Sequence, residues 1–224
     1  MKLSDSTINI LKNFADINQS LLFRQGKKLR TISVMKNILA EAEVVEEFPK
    51  DFGIYDLKQF LNGLDLHKDS CPSLDFTNES HVIIREGKMR SKYFFADPNV
   101  IISPPEKDIV LTTEEISFNL NTQQLDKLLK ASYVYQLPDL SVVGESGVVK
   151  LVVSDRKNDT SNDFSIVVGE TENKFSFNFK VENIKILPGS YEVSISKKLL
   201  SCFVNKDKNL TYWIALEPDS FYEE

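Results

Sequence analysis

The sequence predicts an α+β protein of two similar domains, each with antiparallel sheets covered by two helices. Three observations predict it. The chain has 224 residues, 42% hydrophobic and 10% aromatic, which is enough for two cores of ordinary domain size. One layout occurs twice: an amphipathic helical segment with lysine on its polar face, short alternating strands, a second helical segment, then more strands. A proline-bearing stretch separates the copies. The boundaries read as an N-terminal domain at 1–96, a connecting linker at 97–110 and a C-terminal domain at 111–224.

The first helix is expected at about 5–17. Ile10, Leu11, Phe14 and Ile17 repeat there at helical spacing, while Asp5, Asn9, Lys12 and Asp16 share the opposite face. Apolar runs around 21–23, 29–32 and 38–45 read as strands, with Gly26 in the first turn. A short strand at 52–55 feeds a second helix, with Asp56 as N-cap and Gln59 placed to complete a capping box. Leu57, Phe60, Leu61 and Leu64 form its apolar face; Lys58 and Asn62 lie opposite. Residues 82–85, a turn at Glu86-Gly87, and 88–95 read as a hairpin. Pro98, Pro104 and Pro105 then break the pattern, because proline removes ladder donors. Val100, Ile101 and Ile102 within that linker are apolar, which a plain linker does not require.

The second half repeats the theme. A strand at 116–120 leads to a helix capped by Asn121, with Gln124 at the box position. Leu125, Leu128, Leu129 and Ser132 face inward; Gln123, Lys127 and Lys130 face outward. Val142-Val143, a turn at 144–147 and a strand at 148–153 form a hairpin. Further strands are expected at 163–169 and 174–180, the latter with three Phe on one side. A short fourth helix at about 181–186 stops at Pro188-Gly189, and the last strands lie at 191–195 and 212–216.

Chemistry is hard to find. No phosphate-binding glycine loop or dinucleotide fingerprint is present. Gly144-Glu145-Ser146-Gly147 has the wrong glycine spacing for a nucleophile elbow and reads as a hairpin turn. Residues 205–209 imitate the start of a calcium loop, but Leu210 occupies the glycine position and Leu216 the bidentate glutamate position, so a solvated turn fits better. His67 and Cys71 are four apart with no further ligands converging, and Glu46-Glu47 reads as a solvated charge run. No catalytic residue, cofactor or metal is expected. Two distant cysteines suit a reducing compartment, and neither a secretory signal nor a membrane span is expected.

Net charge is -6, and neither half is basic in bulk. Yet Lys12, Lys58, Lys127, Lys130 and Lys185 all fall on the free faces of the expected helices. For any one of them the plain reading is a wet helix face. As a set they would attract a phosphate backbone if those faces share a surface. Lysine's flexible stem favours loose, sequence-blind phosphate contacts.

Several segments, in order along essentially the full chain, resemble the sliding clamp (DNA polymerase processivity factor) of T-even-type phages, a relative of PCNA. They are Met1 to Ser4, Leu11 to Ala15, Ala40 to Ala42, Ile54 to Leu57 with Phe60-Leu61, Pro188 to Tyr191, and Ile214 to Glu217 with Asp219-Ser220. The stretches around 70–80 and 144–173 match poorly. The resemblance implies DNA-clamp domains forming a ring: a head-to-tail homotrimer around duplex DNA, helices inside, bound without sequence preference. It implies Lys12, Lys58, Asn62, Gln123, Lys127, Lys130 and Lys185 as DNA-facing residues.

It also implies subunit joints by strand pairing, for which the candidates are Met89, Arg90, Lys92, Tyr93 and Phe95 against Asp163, Phe164, Ile166 and Val168. Ordinary strands with solvated edges remain the alternative. A partner pocket is implied near Val34, Ile38, Val100, Ile101, Ile102, Ala215, Leu216 and Pro218; these residues equally suit an interdomain seal. The implied partners are the replicative DNA polymerase, an ATP-driven clamp loader and late-transcription factors, in the cytoplasm of the infected bacterial host. A non-enzymatic structural phage protein of β-rich domains is the competing reading, and a hydrolase with an unrecognised site a third.

Overall fold

The computed structural model describes residues 1–67 and 72–223. They form two compact units, one of Met1–Glu106 with Lys208–Leu210, the other of Lys107–Asp207 with Thr211–Glu224.

The first unit opens with helix α1 (Asp5–Ile17), whose N-cap Ser4 accepts from the Thr7 amide at 3.3 Å. Strands β1 (Leu21–Phe23), β2 (Gly26–Ile32), β3 (Ile38–Phe48) and β4 (Phe52–Ile54) follow. β1 pairs with β4, and β2 with β3, both antiparallel. Helix α2 (Leu57–Asp65) is capped by Asp56, which accepts from the Gln59 amide at 2.8 Å. The Gln59 side chain turns to the Tyr93 hydroxyl. Strands β5 (Ser73–Asp75), β6 (His81–Glu86) and β7 (Met89–Phe94) make a sheet in that order, so β7 is an edge strand. Phe23, Phe48 and Phe52 are stacked or tilted on one another in the core.

Glu46 corrects the sequence reading. β3 runs on to Phe48, and its alternation buries Glu46 while Glu47 stays outside. The carboxylate accepts from the Ser4 amide and the Thr7 hydroxyl, stitching β3 to the start of α1. Burial alone would raise its pKa, but the hydrogen bonds from Thr7 and Ser4 outweigh burial and hold it below the usual value. A depressed carboxyl stabilises the fold above its unfolded pKa and loses that contribution as pH falls through the folded value. Glu46→Gln should therefore cost about 1–3 kcal/mol at neutral pH and flatten the acid limb of stability below about pH 5. Urea titrations of both proteins across pH 3–7 check this; parallel pH curves would refute it.

The second unit begins with β8 (Ile116–Leu120) and helix α3 (Thr122–Tyr135), which carries a complete capping box of Asn121 and Gln124. Next come β9 (Asp139–Glu145), β10 (Val148–Ser154), β11 (Asp163–Glu170) and β12 (Phe175–Lys180). Strands β13 (Tyr191–Ser196), β14 (Leu200–Asn205), β15 (Leu210–Ala215) and β16 (Phe221–Tyr222) complete the chain. One sheet has the order β11-β10-β9-β12-β16, and β8 pairs with β13, which pairs with β14. β11 is thus an edge strand. Its register on β10 slips between Val149 and Lys150, opposite Gly169 and Val167, leaving Val168 as a bulged extra residue.

The fourth helix expected at 181–186 is only a 3-10 turn at Val181–Asn183. No side chain caps the turn at Lys180, the chain leaves helical geometry at Ile184, and burial then alternates through Ile184, Lys185 and Ile186; just beyond, Tyr191 donates to the Leu187 carbonyl and Tyr212 accepts from the Leu187 amide. β14 went unread because its buried face carries Ser201 and Asn205 along with Phe203, which hides the apolar alternation.

Candidate nucleic-acid interface

Three capped helices present the polar faces that the sequence singles out. Lys12 on α1, Lys58 and Asn62 on α2, and Gln123, Lys127 and Lys130 on α3 are all exposed. Each face follows from packing: Ile10, Leu11 and Phe14, then Leu57, Phe60, Leu61 and Leu64, then Leu125 and Leu128 are buried, so the residues between them point outward. Lys185 is exposed as well, but beyond the 3-10 turn and so not on a helix.

The cations are not equivalent. Lys58 Nζ lies 2.6 Å from Asp16 Oδ1, which ties α2 to α1; both side chains are mostly exposed, so the pair is weak. Among the described residues, no carboxylate is within ion-pair distance of Lys12, Lys127 or Lys130. Helix α3 has a single acidic residue, Asp126, and offers the strongest positive face. Amines on long stems at i, i+3 spacing can touch passing phosphates without fixing a register.

The edge strands divide by face. On β7, Tyr93 points toward α2, with its ring 5.2 Å from Phe60 and its hydroxyl 3.0 Å from the Asp56 carbonyl. Phe95 lies just past the strand, half-buried against Phe52 and Phe76. Met89, Arg90 and Lys92 are exposed, and so is Phe94 of the same strand. On β11, Phe164, Ile166 and Val168 are half-buried and Asp163 is exposed. Phe164 joins Lys127, Lys130, Ala131, Val134 and Tyr135 around a shallow cavity of about 400 Å³. Val167 on β11 is an exposed apolar residue, as are Val134 and Tyr135 on α3, which the sequence analysis does not single out. A helical wheel of α3 carried that signal, since its last turn has apolar side chains on the wet face.

The pocket candidates separate by burial. Ile38, Ile101 and Leu216 are buried, and Ala215 is partly so. Ile101 packs on Gly53, where an added Cβ would sit 2.5 Å from its Cδ1. Val34, Val100, Ile102 and Pro218 are exposed. His67 is buried with Nε2 2.7 Å from the Ser91 hydroxyl, and Cys71 lies outside the described residues. Among the described residues no group of three or more His, Cys, Asp or Glu could hold a metal. Burial, and secondarily the Glu114 charge, push the Cys202 thiol up to about 11, which leaves it a poor nucleophile.

Residues 2–103 match the family described as DNA polymerase processivity factor, and residues 117–218 match the C-terminal domain of the gp45 sliding clamp. The chain is 33% identical to the sliding clamp of Vibrio phage KVP40, over 97% of this chain and 99% of the relative. The chain belongs to the phage sliding-clamp family. The sliding clamp of Escherichia phage RB69 is 29% identical across the full length of both. The clamp fold reaches further: PCNA from Entamoeba histolytica superposes with a TM-score of 0.71 at 13% identity, over 94% of each chain. As a sliding clamp this protein is a non-enzymatic processivity factor.

Proposed function

We propose that three copies close head to tail into a ring around duplex DNA, in the cytoplasm of an infected bacterium, and hold the replicative polymerase on its template. One observation carries the reading: β7 and β11 each end a sheet, the first flanked by Lys88, Arg90 and Lys92 and the second by Asp163 and Glu170. Unpaired edges of opposite charge on different units suit a heterologous joint made by strand addition. Lys12, Lys58, Asn62, Gln123, Lys127, Lys130 and Lys185 then line the hole. Retention is topological, so phosphate contacts stay few and sliding stays free. Exposed Val34, Val100 and Ile102 form the docking face for the polymerase, and a docked polymerase meets DNA at high effective concentration. An ATP-driven clamp loader opens the ring, and late-transcription factors share the docking face.

Light scattering after size exclusion, joined to electron imaging, tests the proposal. A particle of three times the 25.6 kDa chain mass with a central hole is expected. A monomer at high concentration, or an open-ended assembly, would sink it.

A further inference from the structure

The sheet edge of β12 is covered by the chain's own closing segment, and the cover is thin. β16 contributes only two ladder pairs, Phe175 with Tyr222 and Ser176 with Phe221. Around them single hydrogen bonds finish the edge: Glu223 donates to the Lys174 carbonyl at 2.9 Å, Glu217 donates to the Asn178 carbonyl at 2.7 Å, and the Asn178 amide donates to the Ser220 hydroxyl at 2.9 Å. A strand this short has little stability of its own.

Three side chains anchor it. Arg156 grips Asp219 with a fork of 3.1 and 2.6 Å. Lys174 pairs with Glu223 at 3.0 Å, both largely exposed. Between these charges the Tyr222 ring lies 6.0 Å from Phe175 and 6.2 Å from Phe177, nearly parallel to both. Phe221, on the other face, is 44% exposed and contributes little burial. The Lys174 pair is of the exposed kind that is easily exchanged, while the Arg156 side chain is 29% exposed and the buried Asn178 side chain also donates to the Asp219 carbonyl and carboxylate at 3.4 and 3.3 Å.

We propose that residues 217–223 are a displaceable resident strand, and that the β12 edge beneath accepts an extended peptide segment of another protein by strand addition. The chemistry of the edge defines that segment. It carries a carboxylate for Arg156, an aromatic ring three positions later for Phe175 and Phe177, and a second carboxylate next to it for Lys174. Main-chain bonds to Lys174, Ser176 and Asn178 supply the pairing, and the two cations with the ring seat supply the choice. The inference is independent of ring closure, since every group named lies within the second unit.

The test uses the full chain and a fluorescent peptide with the sequence of residues 217–223. The variant Asp219→Ala with Tyr222→Ala should bind this probe at least tenfold more tightly than the unaltered protein, and adding Arg156→Ala should remove the gain. Equal binding by the unaltered protein and the double variant would overturn the proposal. Amide exchange of the unaltered protein gives a second measurement if the variant fails to fold. The Glu217 and Glu223 amides should exchange at least tenfold faster than those of Val142 and Leu151; equal protection would overturn the proposal as well.

Discussion

Replacing Lys127 and Lys130 together with Glu should reduce polymerase stimulation on primed DNA by about tenfold or more at low salt. Both amines stand on the exposed face of α3, with no ion-pair partner among the described residues. Each neutralised phosphate adds about 0.9 to the slope of binding against salt, so losing two should flatten that slope by about 2. Reversal also places carboxylates beside Asp126 and turns the helix face repulsive. The particle size must be measured in parallel, because both lysines border the cavity that includes Phe164 of edge strand β11. Stimulation unchanged in an intact assembly would show that α3 does not meet the nucleic acid. Loss of stimulation together with loss of assembly would place these lysines at the joint.

Gly144→Ala should be the most damaging single-methyl change in the second unit. A Cβ at Gly144 would lie 2.3 Å from Phe175 Cε1 and 2.6 Å from Cδ1. The ring has little room to step aside, because it is 1% exposed and packed against Phe177. Overpacking of this sort costs about 1–3 kcal/mol. At about 2–4 °C per kcal/mol for a chain of this size, a melting-temperature fall of about 2–12 °C follows. Thermal unfolding followed by circular dichroism checks it; a fall under about 1 °C would show that the aromatic cluster yields more freely than its burial implies.

Gly144 also shows where the sequence was legible and where it was not. Its neighbours were read correctly as a hairpin, and the turn itself is at Ser146 and Gly147, both at positive φ. Gly144 is a strand residue emptied of its side chain for a ring 31 positions away, which no local pattern announces. Helices α1, α2 and α3 were legible because periodicity and caps are local. Glu46 was not, because its partners Ser4 and Thr7 come from a distant segment. The exposed lysines could be placed from helical faces, yet the pairing of Lys58 with Asp16 needed two helices side by side. Within the linker, hydropathy alone could not separate buried Ile101 from exposed Val100 and Ile102.

The bulge at Val168 bears on which associations the chain avoids. A uniform ladder offers any passing β-segment a template and invites fibre growth. An edge interrupted after Val167 presents donors and acceptors in a broken rhythm, so indiscriminate stacking is disfavoured and a strand shaped to that interruption is welcomed.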